Sequence, residues 1–277
     1  MFYLWRRTVV GQLPLDTRYK SCPDQRLVAT SGGGLAYDGL APLEDPQPAT
    51  RSPPSMPTDS IRVWDLPTRL FHWILVASII GSVVTAQIGG NAMVWHFRCG
   101  FTIATLLLFR LVWGFVGGRW SRFSAFIYSP ATVMGYLRGE ARPEHSVGHN
   151  PLGAASVFAM LAVLIAQVST GVISDDEIAA VGPFAKFVSN ATVSLATGYH
   201  KGYGKTLLLA LVVLHLAAIL FYYFAQRDNL VKPMLGGDKP QTGQLPSSRD
   251  DAISRLAAAV VLAACAALVA WGVSLGG

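Results

Sequence analysis

Six histidines stand in this chain of 277 residues, and four of them fall in or beside long apolar stretches. His200 and His215 share one stretch, "GYHKGYGKTLLLALVVLHLAAILFYYFAQ". Fifteen helical steps of about 100° come to about 60° past four full turns, so both rings point broadly one way, roughly 22 Å apart along the axis. His72 lies in "WDLPTRLFHW" and His96 in "VWHFRCG", each near the start of its own apolar run. Two imidazoles facing each other across a helical bundle make the ligand set of a six-coordinate b-type haem. Neutral nitrogen ligands suit iron, and filling both axial positions leaves no vacancy for substrate, which favours electron transfer over catalysis. No catalytic residue is assigned on this basis. One such histidine alone would read as a hydrogen-bonded core residue. Four that sort into pairs are harder to set aside, because ionisable groups inside a bilayer are costly and usually functional.

The elements that position them are read from hydropathy. The chain is 52% hydrophobic and only 14% charged, where a soluble domain carries about 25% charged residues. Apolar stretches run over about 69–88, 94–116, 152–173 and 203–225, and a fifth runs from about 252 to the end. Each is close to the ~20 residues a spanning helix needs, and a helix satisfies its own backbone where no water reaches. The expected fold is all-α: a transmembrane four-helix bundle, residues 56–240, plus a linker and a fifth C-terminal transmembrane helix in 241–277. Residues 1–55, rich in Gly, Pro and Ser and without periodicity, are expected to be disordered. The opening "MFYLWRRTVVGQLPL" lacks the apolar core of a signal peptide, and Met56 is a plausible true start.

Charge fixes orientation. The formal charge of +6 lies mostly in the connections between apolar runs rather than in a nucleic-acid-binding patch. Arg62 and Arg69 lead into the first span; Arg119, Arg122, Arg138 and Arg142 follow the second; Arg227, Lys232, Lys239, Arg249 and Arg255 follow the fourth. The other connections are uncharged, or open with Asp175, Asp176 and Glu177. The positive-inside rule puts the N-terminus in the cytoplasm and the C-terminus in the periplasm of a bacterial inner membrane. His96 and His200 then lie at the outer side, His72 and His215 at the inner side. Cys22, Cys99 and Cys265 are far apart, without CxxC or CxxCH spacing, which removes a disulfide framework, a zinc ribbon and a covalently attached haem.

Further residues bear on a porphyrin. Gly100 and Gly204 each follow a histidine by four, on the same helix face, where a missing side chain admits a flat macrocycle; ordinary membrane-helix packing explains them as well. Arg98, two after His96, and Arg110, near the depth of the inner pair, could hold haem propionates bidentately; Arg110 could equally snorkel to headgroups. His145 and His149, in "PEHSVGHNPLG", have zinc-like spacing, but Gly148 and Pro151 argue against a helix and no third ligand is evident. They read as loop residues, with His149 near enough the membrane to serve a quinone or a propionate.

At these residues the sequence resembles the bacterial cytochrome b561 family, which includes the b-type cytochrome subunit of nickel–iron hydrogenases. The resemblance covers about residues 60–240, through "VWDLPTRLFHW", "HFRCG", "FRLVWGFVGGRWSRF", "GHNPLGA", the His200–His215 segment and "NLVKPMLGGDK". It implies a four-helix protein with two haem b groups, held by His72, His96, His200 and His215, in the pairs His72–His215 and His96–His200. It also implies electron transfer between the quinone pool and a partner, a hydrogenase or a c-type cytochrome. Two rivals use the same residues: a stand-alone superoxide:quinone oxidoreductase, and a haem-free transporter with a His/Arg ion path.

Overall fold

The computed structural model describes residues 59–140, 145, 147–178, 180–241 and 245–276. The expected disordered stretch 1–55, Met56 and Arg142 lie outside them. Among these residues, five helices are long and apolar enough to cross a membrane. They are α1 (Leu66–Ile88), α2 (Met93–Val116), α4 (Pro151–Gly171), a continuous rod over Asn190–Phe224, and α8 (Ala252–Gly276). The rod comprises α5 (Asn190–Gly198), a π-helical turn (Tyr199–Gly204) and α6 (Lys205–Phe224). Short helices α3 (Pro130–Leu137) and α7 (Val231–Gly236) lie in the connections. The chain is a multi-pass, all-α membrane protein.

The helix starts are written locally. Asp65, Ser129, Asn150 and Ser189 each accept a hydrogen bond from the backbone N–H three residues on, and proline follows in the first turn of α1, α3 and α4; these are N-cap signals. Gly89 and Gly90 take positive φ in succession, 67° and 52°, which lets four residues reverse the chain between α1 and α2.

The fourth span departs from expectation. It begins at Asn190 rather than near 203. The added segment, "NATVSLATG", is too polar to register as a membrane stretch, yet Ser189 caps it and Thr197 donates back to Val193 O at 2.8 Å. At about 1.5 Å per residue, 35 residues exceed a hydrocarbon core of about 30 Å, so this rod projects beyond the bilayer.

In the bundle α1 packs on α2, α2 on α4, and α4 on α6, while α8 lies along α2. One core runs through it, with Phe71, Leu75, Phe109, Trp113, Leu164 and Leu208 buried together, and α8 contributes Ala258 and Cys265. Large apolar side chains nonetheless face outward: Phe115 is 72% exposed and Val213 66%. An apolar exterior around a packed interior is what a lipid solvent selects.

One end is closed by polar structure. Strands β1 (Asp59–Arg62) and β2 (Asp238–Gln241) pair antiparallel, with Arg62 opposite Asp238; this is the ribbon end, and the α1–α2 turn marks the far end. Residues 245–251 are bound into the ribbon end. Ser248 donates to Val63 O at 2.8 Å, and Asp250 accepts from Leu66 N–H and pairs with Arg62 and Arg255. Burial alone would raise the Asp250 carboxyl; hydrogen bonds from Arg255 and Leu66 and the charge of Arg62 hold it below the ordinary carboxylate value. The described residues from 59 onward form one compact unit, with no break near 240.

Asp65 is the buried hub of this end. Its carboxylate accepts from Thr68 N–H and Gly118 N–H, each at 2.8 Å, and from Trp113 Nε1–H at 3.3 Å. Hydrogen bonds to a charged group contribute about 1.5–3 kcal/mol each. One side chain thereby fixes the start of α1, which carries His72, against the end of α2.

Candidate functional site

The structure brings the four span histidines together in two pairs. At the far end, His96 in the first turn of α2 faces His200 in the π turn, with ring centroids 6.0 Å apart and planes 86° apart. Toward the ribbon end, His72 of α1 faces His215 of α6 at 6.5 Å and 58°.

The far-end rings are oriented by neighbouring backbone. His96 Nδ1 lies 2.9 Å from Ser82 O and 3.1 Å from the Ser82 hydroxyl. His200 Nδ1 lies 2.9 Å from Gln167 O. A carbonyl oxygen only accepts, so Nδ1 carries the proton in each ring and Nε2 keeps a free lone pair. This is the arrangement that aims a histidine at a metal. Gln167 Nε2 in turn donates to His200 O at 2.9 Å, so Gln167 of α4 holds both the ring and the backbone of His200. A Cβ on Gly171 would stand 2.7 Å from the His200 ring; only glycine leaves room there.

A cavity of about 960 Å³ opens beside this pair, lined by His96, Gly100, His200 and apolar side chains of α1, α4 and α6. That is within the ~300–1,000 Å³ of cofactor sites.

The remaining expected site residues divide. Gly100 lines the cavity, and a Cβ there would meet nothing within 4 Å. Gly204 instead packs on Gln167 and Tyr199, where a Cβ would come within 2.2 Å of Gln167 Oε1; close helix packing accounts for it. Arg98 is turned from the cavity and stacks on Trp95 at 4.7 Å. Its spacing explains this, since two helical steps put it about 200° from His96.

Arg110 does not snorkel. It is 3% exposed, donates to Ser121 O at 2.9 Å and lies 4.7 Å over the Phe123 ring. His149 is wedged between Trp64 and Phe126, ring centroids 4.8 and 4.5 Å away, and its buried Nδ1 has no hydrogen-bond partner. Burial, with the charge of Arg110, pushes this imidazole down to about 3. His145 is buried edge-on against Tyr128 and Tyr136. Among the described residues no three His, Cys, Asp or Glu gather as a metal site.

Sequence reasoning missed Ser82, Gln167 and Gly171. Gln167 left a signal, as a polar side chain within an apolar span. Ser82 acts mainly through its carbonyl, which any residue type would supply.

Fold and composition thus define a multi-pass membrane protein with paired imidazoles inside an all-α bundle. The family profile described as "Prokaryotic cytochrome b561" matches residues 63–237, and the chain belongs to that family. Relatives include the "Probable Ni/Fe-hydrogenase 1 B-type cytochrome subunit" of Escherichia coli (strain K12), 25% identical over 209 residues, 63% of this chain and 88% of the relative. The "Probable Ni/Fe-hydrogenase B-type cytochrome subunit" of Azotobacter chroococcum mcd 1 is 25% identical over 212 residues, 64% and 88%. Its counterpart in Rhodobacter capsulatus is 26% identical over 216 residues, 65% and 81%. No solved structure matches the chain significantly.

Membership of a b-type cytochrome family implies haem b, and the geometry can be tested against it. Taking a metal–imidazole bond of about 2.0 Å and a ring centre about 1.1 Å behind the nitrogen, two histidines sharing one metal from opposite sides should have centroids about 6.2 Å apart. The observed 6.0 and 6.5 Å bracket that value. The residues fit the group.

Proposed function

We propose that the protein is a two-haem cytochrome that carries electrons across the membrane between the quinone pool and a partner redox protein, a hydrogenase or a c-type cytochrome. The carrying observation is the two histidine pairs, spaced for axial ligation at opposite ends of one bundle. The hydrogenase is favoured by the names of the relatives. A bound haem supplies a reversible one-electron couple. His72 with His215, and His96 with His200, would hold and orient it, each pair leaving no free ligand position for substrate or water. The excess of Arg and Lys at the ribbon end supports an orientation with that end in the cytoplasm and the far end and C-terminus on the periplasmic side of the inner membrane. Quinone oxidation or reduction is the only chemistry asked of the protein itself.

The test is stoichiometric. A pyridine haemochrome assay should give two haem b per fully loaded chain; one per chain overturns the two-site scheme.

Arg110 supplies a second expectation. A buried guanidinium at the depth expected for the His72–His215 pair would stabilise a reduced, more negative haem there. A unit charge about 10 Å away at an effective dielectric near 20 corresponds to roughly 70 mV. Arg110→Gln should lower the ribbon-end potential by about that amount and leave the other nearly unchanged. Redox titration resolving both haems checks it; two unmoved potentials assign Arg110 to structure alone.

A further inference from the structure

The far-end cavity carries two cations that the sequence did not point to. Lys201 and Lys205 line it beside His200, Lys201 exposed and Lys205 half-buried. Among the described residues no carboxylate lies within ion-pair distance of either. Asp176, on the same cavity, accepts instead from Ile178 and Ala180 N–H through Oδ1. A half-buried ammonium such as that of Lys205 gains from an anion beside it, and the exposed Lys201 is free to turn toward the same anion.

The π turn decides which way they face. An i→i+5 turn advances about 80° per residue rather than about 100°, so Lys201 and Lys205 point within about 80° and 40° of His200. Both therefore stand on the wall that presents the ligand, around the rim of whatever the ring coordinates.

We propose that Lys201 and Lys205 hold the two carboxylates of the haem at the far-end site, the role the sequence suggested for Arg98. This rests on the two-haem reading. Two propionates need two cations, and Lys201 and Lys205 are the lysines or arginines among the residues lining this cavity, whose remaining polar lining is Ser82, Gln87, Asn91, Gln167 and Asp176 beside the imidazoles. Charge-assisted pairing satisfies both partners without adding net charge to the bilayer.

The experiment is a double-mutant cycle on haem retention, with the full chain in lipid. Lys201→Gln, Lys205→Gln and the double variant are loaded either with protohaem or with its dimethyl ester, which lacks the carboxylates. Haem loss to a scavenger protein is then followed, with the ribbon-end haem as internal control. Each substitution should speed far-end protohaem loss about tenfold, while the ester should leave wild type and variants at one rate. Equal rates with protohaem overturn the proposal. Equal acceleration of both forms does so too, because the lysines would then serve as background charge or bind lipid phosphate. Should the double variant retain no far-end protohaem, Lys201→Arg/Lys205→Arg decides: retention supports carboxylate pairing and loss overturns it. A wild-type chain that never loads the far-end pair would overturn the two-haem reading instead, a distinguishable result.

Discussion

His215→Ala disables the same haem as His72→Ala, and His200→Ala the same haem as His96→Ala. This is the largest effect expected of any side-chain change, since removing an axial imidazole leaves a five-coordinate or empty site. The grouping follows from geometry. His72 and His215 face each other at 6.5 Å, and His96 and His200 at 6.0 Å. Low-temperature spectra or paramagnetic resonance of the four variants should show two shared defects. The His72 and His215 variants should keep the far-end signal, and the other two the ribbon-end signal. If His72→Ala instead shares its defect with His96→Ala, the pairing across the bundle is wrong, and with it the path across the membrane.

The sequence sorts the four histidines by depth because depth in a membrane is a one-dimensional quantity. Hydropathy places each span, and position along the span places each histidine. Azimuth is harder to read. Arg98 was legible, since two α-helical steps from His96 already turn it away from the ring; attending to charge and depth alone missed this. Lys201 and Lys205 were not, because their directions depend on the π turn, and i→i+5 bonding leaves no hydropathy mark. The ring acceptors Ser82 O and Gln167 O are backbone atoms on other helices, fixed by packing rather than by a motif. The start of the fourth rod at Asn190 was hidden for a different reason. A helix held outside the apolar layer by a serine cap and Thr back-bonding carries no membrane periodicity.

Deleting Gly202 and deleting Ala210 should have opposite consequences, although both remove one residue between His200 and His215. In the native rod five steps of about 80° and ten of about 100° sum to about 1,400°, or about 40° short of four turns. That is how one rod serves both pairs. Gly202 lies in the π turn, with nothing within 4 Å of where its Cβ would be. Its loss lets the turn close as α-helix, and fourteen steps of about 100° again give about 1,400°. The two rings keep their relative direction, and both haems should be retained. Ala210 lies in regular α6. Its loss leaves the π turn in place and swings His200 about 100° relative to His215, so only one pair can remain in register. Helix α4 holds the π turn through Gln167, so the far-end haem should survive and the ribbon-end haem should be lost. Haem counts and resolved spectra of the two deletions settle the matter. Loss of a haem on deleting Gly202, or two haems after deleting Ala210, would show that something other than helix phase aligns the ligands.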